Sequence, residues 1–474
     1  MNNGKISRRE FAGVGVGAFA VTALASVPGK SPAQEAGNEA VSAEDSILAA
    51  GVAKSYAFLH SMMDAYAQGQ TLRLIQSYSD QMQLLSTSFV YDNAVVINAL
   101  LERGDSANLQ RALLLGEALL YAQQQDSIGD GRVRQAYFVA QADTNGVFLQ
   151  PALAPFFFIG SATGDMSWVG MALAHLFARS GQQQFLNGAV RLGQWIVKNT
   201  FSTTGAGGFT AGVDSNNNPL TYKSTEHNID AFALFTMLAE LTGDSSWATQ
   251  ALHARSFVQA MFNATNDFFW TGTLTDGATI NTNPLPEDVN TWSFLALRDE
   301  AFAGSVDWAK TNLAVTDTPQ SFNNSVAGNK VRISGVTYTN FGQHPPIVNN
   351  DFAASDPFST PPNPNSVWLE GTAHVAAALR ARNLPADLDL PGFSGDRNTA
   401  GFLLLNILGA QATQGAGQTC AGQPLPPGSG VLAASSELNT GFGFSYKPFL
   451  HIGATGWFGI AAQAGNPFQI RGRR

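Results

Sequence analysis

The chain repeats one pattern six times, and that repeat constrains its fold more than any other feature. An apolar, alanine-rich stretch opens on polar or acidic residues, closes on a short turn and leads into a more amphipathic stretch. The apolar members are YDNAVVINALLERG from 91, DMSWVGMALAHLFARSG from 165 and TEHNIDAFALFTMLAELTG from 225, then EDVNTWSFLALRDE from 287, SVWLEGTAHVAAALRARN from 366 and FLHIGATGWFGIAAQAG from 449. Their partners fall at 47–68, 106–124, 180–199, 244–262, 300–313 and 395–411. The apolar spacing is helical throughout. A helix apolar on nearly all sides must be buried on nearly all sides, whereas an amphipathic one can face water. Six of each, alternating, predict an all-α fold, an (α/α)6 barrel over 46–465 whose inner ring is wrapped by an outer ring. Repeats of this period bury their apolar faces only by stacking on neighbours. An open solenoid would also stack them, but a count of six with long, unequal loops favours closure. Strand signals are sparse; KVRISGVTYT at 330–339 predicts a minor loop hairpin.

The N-terminus, residues 1–25, reads as a twin-arginine-type export signal. Arg8 and Arg9 stand in a Ser-Arg-Arg-x-Phe context before a Gly/Ala-rich run, and ALAS at 23–26 offers a cleavage site after Ala25. A retained anchor is the alternative, but the run from Phe11 to Ala25 is short for a membrane span. Residues 26–45 read as a flexible leader and 466–474 as a basic tail. The expectation is an exported protein, periplasmic or extracellular, with no membrane contact once mature. Charged residues make up only 13%, and the gap is filled by Gly, Ser, Thr, Asn and Gln, a polar surface that suits hydroxyl-rich ligands. The net charge of −9 argues against a nucleic-acid partner. Cys420 is the only cysteine, which excludes an intrachain disulfide, and it reads as a loop thiol.

Every acidic cluster precedes an apolar helix. In a ring of parallel inner helices those starts converge on one mouth, where helix N-termini tolerate carboxylates. The candidates are Asp92, Asp165, Glu226, Asp230, Asp288 and Glu370. Asp165, after Gly164, and Asp288, near Pro284 and Pro286, read as first-turn caps. Glu226 and Asp230 resist that reading, because their i, i+4 spacing sets like charges on one helical face and Ser224 or Thr225 can already cap the helix. A protonated carboxyl beside an ionised one is what acid/base hydrolysis needs. Glu370 follows a Pro/Asn-rich loop, lies near Trp368 and precedes Gly371, and it would face Glu226 and Asp230 across the mouth. Glu226, Glu370, Asp230 and Asp92 are therefore the catalytic candidates. The substrate-binding candidates are His227, His374, Trp368, Trp168, Tyr91 and Arg134. Flat rings stack on sugar faces. Arg132 and Arg134 could hold an anionic group or pair with the acids. His227, His374 and His451 lie on inner helices, yet no HExxH or comparable spacing marks a metal site, and no cofactor motif is present.

Together the six repeats and the motifs VYDNA, STEHNID, VWLEGT and GFGFSYKPFLHIGATGW resemble bacterial six-hairpin glycosidase-like proteins over about residues 46–465. The resemblance implies an (α/α)6 barrel with its active site in the cleft at one mouth, and hydrolysis by a carboxylic acid with a carboxylate base. With the residue reading, it points to an exported glycoside hydrolase acting on an oligo- or polysaccharide, inverting by analogy. Glu226 and Glu370 would be the acid/base pair, with Asp230 and Asp92 positioning water or sugar hydroxyls. Two other readings fit the same barrel. A sugar epimerase or polysaccharide lyase would use His227, His374 or a tyrosine for proton transfer at carbon. A non-catalytic carbohydrate-binding toroid would present aromatics without opposed carboxylates.

Overall fold

The computed structural model describes residues 32–66, 72–82, 84–139, 159–319, 331–343, 361–383 and 395–470. The export signal read at 1–25 lies outside them. Twelve α-helices lie among the described residues: α1 Pro32–Asp64, α2 Val90–Arg103, α3 Ser106–Gln125, α4 Thr163–Ser180, α5 Gln183–Thr200, α6 Thr225–Thr242, α7 Ser245–Ala260, α8 Asp288–Leu297, α9 Ala303–Asn312, α10 Leu369–Arg382, α11 Asp396–Thr413 and α12 Ile452–Ala462. The even-numbered helices pack in the order α2, α4, α6, α8, α10, α12 and back to α2, closing the inner ring. The odd-numbered helices lie outside it, α1 against α12 and α11. This is the (α/α)6 barrel. Helix α1 begins at Pro32, so 26–45 is not leader throughout. Its small and polar residues include several Ala, Glu and Gln, which are strong helix formers.

The first five inner helices turn into their outer partners in one way. Gly104, Gly181 and Gly243, each at φ +72°, and Arg298 and Asn383, at φ +52° and +49°, adopt the left-handed conformation just past the helix. Each returns its N–H to the carbonyl four residues back, which satisfies a helix-end acceptor.

The opposite end of the ring is built differently. Each inner helix is entered from a short extended segment that pairs with a neighbour. Strand 87–89 pairs with 136–138, 161–162 with 212–213 and 450–451 with 431–432. Single bridges join Ser224 to Gly272, Pro286 to Thr339 and Trp368 to Ala434. One early side chain on each helix then accepts a backbone N–H from an adjoining segment. These bonds are Ile75 N to Asn93 (2.9 Å), Val133 N to Met166 Sδ (3.3 Å), Phe209 N to Asn228 (2.8 Å), Phe269 N to Asn290 (2.8 Å), Val336 N to Thr372 (3.1 Å) and Val431 N to Thr455 (2.9 Å). The six anchors fix every inner helix in the same register at the mouth.

Below the mouth the ring's interior is filled with aromatic rings. Trp168, Trp292 and Trp457 meet at centroid distances of 5.2–5.9 Å, and Phe468 packs on all three. Phe468 comes from the segment expected to be a basic tail. Instead 466–470 is folded: Asn466 donates to the Leu295 carbonyl (2.9 Å), the Pro467 carbonyl lies 2.9 Å from His175 Nε2, and Phe468 is 2% exposed. Its apolar side chain gains more from burial than the tail's charge suggested. The hairpin expected at 330–339 is present, with 333–336 antiparallel to 314–317. No helix among the described residues is long and apolar enough to cross a membrane.

Candidate active site

The shared register brings equivalent residues together. Two places before the six anchors stand Tyr91, Gly164, Glu226, Asp288, Glu370 and Gly453. Three consecutive inner helices thus present a carboxyl at one equivalent position, flanked by two glycines and a tyrosine. One place before the anchors, α2 and α4 add Asp92 and Asp165. Asp230 lies one turn below Glu226, and Glu287 precedes Asp288.

Neither suspected cap behaves as one. No side chain caps α4, where Asp165 sits in the first turn. Asp288 accepts only its neighbour Val289 N–H (2.6 Å) on its own helix and is also bonded by Tyr338. The cap of α6 is Ser224, which accepts the His227 N–H at 3.3 Å, so Glu226 is free for another role.

Glu370 is the most tightly held carboxyl. The Tyr91 hydroxyl donates to its Oε1 at 2.5 Å and itself accepts from Trp457 Nε1 at 2.9 Å. His451 Nδ1 lies 3.4 Å from Glu370 Oε2, and His451 Nε2 lies 3.1 Å from Asp92 Oδ2, a charge contact whose N–H is not well aligned. On the other side His374 Nε2 is 3.8 Å from Glu370 Oε1, and its Nδ1 is 3.0 Å from Glu287 Oε2. The His451 ring stacks on Tyr78 at 4.2 Å. Gly453 leaves the space these groups use: a Cβ there would lie 2.6 Å from Asp92 Oδ1 and 3.1 Å from Glu370 Oε2. Gly164 does the same for His227 and Asp230.

Burial, and then mutual repulsion, sets the protonation of this ring. Burial pushes Glu370 up to about 7, with Asp92 and Asp288 adding and His451 and Tyr91 opposing. Burial and Asp92 push Asp165 up to about 7. Burial lifts Asp288 to about 6 against its hydrogen bonds from Val289 and Tyr338. Glu226 is carried well above the carboxylate range by burial, Asp288, Asp165 and Glu370. It is half-buried by surface, but deep enough in the mouth to feel the interior field. Asp230, fully buried, is raised well above its usual value by burial and by Glu226. Neither Asp230 oxygen has a hydrogen-bond partner; the Trp168 indole tempers its charge without a well-aligned bond. Burial drops His227 to about 4.

Glu226, Asp230, Asp92, Glu370, His227, His374 and Tyr91 therefore gather at one mouth. Three other candidates are placed differently. Trp168 belongs to the aromatic filling, at 1% exposure, because an indole on an all-buried helix gains most in the core. Trp368 packs at 3% exposure against Tyr446 (5.8 Å), Tyr338 (4.5 Å) and His374, and only its neighbours Tyr338 and Tyr446 are half-buried. Arg134 spends its guanidinium on Asp126 (2.5 and 2.9 Å) and the Ile159 carbonyl (2.8 Å), which removes it from the site. Sequence reasoning missed Glu287, Tyr78 and Tyr446, and it undervalued His451, which contacts two site carboxylates. The signal for three of the repeats was the buried Asn shared by YDNA, EHNI and EDVN, which gives the register. No group of three or more His, Cys, Asp or Glu among the described residues has metal-holding geometry.

The fold is a six-hairpin (α/α)6 toroid with carboxyl and imidazole groups gathered at one mouth. Among solved structures, the chain is similar to a glycosidase variant in complex with glucose, at 11% identity over 89% of this chain and 98% of that one, TM-score 0.56. It is similar to a D-mannose isomerase at 10% identity over 89% and 98%, TM-score 0.56, and to a GH76 α-mannanase of Bacteroides thetaiotaomicron at 10% identity over 87% and 95%, TM-score 0.51. No family model and no curated sequence matches the chain. At these identities the likeness establishes the fold.

Proposed function

We propose that this protein is a glycoside hydrolase that cleaves an oligo- or polysaccharide by carboxyl acid/base catalysis. The observation that carries this reading is the set of carboxyls at one equivalent position on consecutive helices, Glu226, Asp288 and Glu370. Glu226 is half-buried, untethered and kept protonated by burial and its neighbours, which suits the acid that protonates the glycosidic oxygen. Glu370 is clamped by Tyr91 beside His451, which suits the base that takes a proton from water. A base acting on water across from a separate acid gives inversion. Asp92 and Asp230 act on this pair through charge and position. Arg132 and Arg134 are spent in ion pairs with Asp130 and Asp126, and Lys223 Nζ points to the Thr204 carbonyl. That favours a glycan without anionic groups, and mannose- or glucose-based glycans are the first to test, given the structural relatives. Export by the twin-arginine-type signal is part of the same reading, and fractionation of cells making the full chain tests it.

A second reading, sugar isomerisation or epimerisation, is favoured by His374 and His451 standing beside Glu370 on a fold shared with a D-mannose isomerase. One experiment separates them. Neutral glycans and free hexoses are incubated with the protein in D2O, and products are read by NMR. New reducing ends that Glu226→Gln and Glu370→Gln abolish support hydrolysis. Deuterium at C1 or C2 of a free hexose, without chain cleavage, supports the second reading. Binding without turnover would leave the barrel a carbohydrate-binding toroid.

A further inference from the structure

Glu370 stands between two histidines, each backed by a second carboxyl, and the two arrangements are not equivalent. His374 is wholly buried between the rings of Trp292, Trp368 and Trp457. Burial carries His374 well below, and its partner Glu287 well above, their ordinary values, so the charged forms of both are disfavoured. His451 behaves otherwise. Burial disfavours its charge, but Asp92 and Glu370 outweigh burial and hold it above its usual range. Its Nδ1 also has two possible partners. Unprotonated, it accepts the Ala454 N–H at 3.2 Å as the cap of α12. Protonated, it can only donate, and Glu370 Oε2 is 3.4 Å away.

We propose that the Asp92–His451 pair is the proton partner of Glu370: His451 Nδ1 takes up the proton that Glu370 Oε2 has removed from water, and Asp92 holds the imidazolium that results. In this transfer the O–H bond of the carboxylic acid breaks and its electron pair stays on Oε2. An N–H bond forms at Nδ1, and the Ala454 N–H gives up its acceptor. A neutral acid and a neutral imidazole become an ion pair, with no other reactant. Solvent water at the mouth then carries the proton away, and Glu226 regains one from the same water. The other titratable groups facing Glu370 are His374 from its own helix, Tyr91 and Asp92 from α2, Glu226 from α6, Glu287 and Asp288 from α8, Tyr446 from the 445–446 strand and Tyr78, which stacks on His451. Among the described residues around Glu370, His451 is the imidazole whose proton affinity its neighbours raise, and it takes the proton in its neutral form, the one that accepts the Ala454 N–H. His451 is thus a positioning residue, acting on water only through Glu370. The inference rests on the reading of Glu370 as the base.

The test uses His451→Asn, which keeps a side-chain oxygen for the α12 cap but cannot become a cation, and His451→Gln as a second variant. On the glycan that the wild type cleaves, the acid-side limb of kcat/KM is expected to move up by roughly one pH unit. The corresponding loss is about tenfold at pH 6, with recovery at pH 8 and KM unchanged. A purely structural cap would lower kcat evenly at every pH and leave the limb in place, and that result overturns the proposal. A substrate-free arm keeps the two readings apart. The Glu370 carboxyl, labelled with carbon-13 and assigned with Glu370→Gln, is titrated by NMR in wild type and His451→Asn. In Asp92→Asn the His451 imidazole is expected to titrate at lower pH. If the Glu370 titration is the same in wild type and His451→Asn, the proposal falls whatever the substrate. If it shifts while the wild type cleaves no glycan, the proton pairing stands and the hydrolase reading fails.

Discussion

Gly453 offers the sharpest single perturbation of this mouth. A methyl group placed there by Gly453→Ala would sit 2.6 Å from Asp92 Oδ1, 2.7 Å from His451 Cε1 and 3.1 Å from Glu370 Oε2. Ordinary contact begins at 3.4 Å, so the closest pair is about 0.8 Å too near. Residue 453 cannot easily retreat, because α12 is held by the Thr455 anchor and the 450–451 strand. His451 cannot either, since its ring is stacked on Tyr78. The carboxyls must give way, and Glu370 leaves its place between Tyr91 and His451. A displacement near 1 Å in a catalytic group costs on the order of 10²-fold in rate. The overpacking itself costs roughly 1–3 kcal/mol of stability. The expected result is a folded protein, with its Tm lowered by several degrees, whose kcat on the cleaved glycan falls about a hundredfold while KM changes little. A crystal structure of the variant would show the Asp92 and Glu370 carboxyls displaced and His451 still stacked on Tyr78. If kcat stays within threefold of wild type, Glu370 and Asp92 are not positioned for chemistry as argued.

Stability should fall as pH rises. Asp165 and Glu370 near 7 and Asp288 near 6 bind protons more tightly folded than unfolded, where carboxyls titrate near about 4. Their contribution is complete below the unfolded value and is lost as pH passes through 6–7; His227 and His374, held below their usual range, oppose the trend, but Glu226, Asp230 and Glu287 add to it, so Tm at pH 5 should exceed Tm at pH 8 at fixed ionic strength. A flat or rising profile contradicts this. By the same logic Asp230→Asn, which removes a buried carboxyl whose oxygens have no hydrogen-bond partner, should raise Tm more at pH 8 than at pH 5. Phe468→Ala empties the filling among Trp168, Trp292 and Trp457 and should cost about 3–5 kcal/mol in urea unfolding. Arg134→Ala leaves Asp126 buried without its partner, at a cost of roughly 3–5 kcal/mol, with KM for the glycan unchanged; a raised KM would return Arg134 to the site.

The architecture was legible because burial on all sides leaves an unmistakable composition. FALFTMLAEL and HVAAAL can only be inner helices, and six of them close a ring. The site was legible in part for the same reason: charge in the first turn of a buried helix is costly unless that turn lines an opening. That logic named Glu226, Asp230, Glu370 and Asp92, which the fold gathers at one mouth. It set aside Asp165 and Asp288 because a first-turn Asp looks like a cap, whereas Asp165 caps no helix N–H and Asp288 accepts only that of its neighbour Val289. It overvalued Trp168 because helical spacing does not tell which side of a ring an indole faces. It could not find Tyr78 or Tyr446, which reach the mouth from strands whose pairing is set by tertiary contacts. Phe468 was lost to the arginines that follow it, since local charge says nothing about an empty space at the other end of the ring.

The hydroxyl that steadies Glu370 is itself steadied from across the seam where the chain's first inner helix meets its last: Trp457 and Tyr91 are 366 residues apart in sequence. The Asp92–His451 contact bridges the same seam. A chain with five hairpins formed and the sixth undocked would have nearly all its helix but none of the contacts that Trp457 and His451 bring to Tyr91, Asp92 and Glu370. Contacts so distant in sequence are slow to find one another. In refolding, circular dichroism should therefore return well before turnover, and turnover becomes a readout of the moment the ring locks.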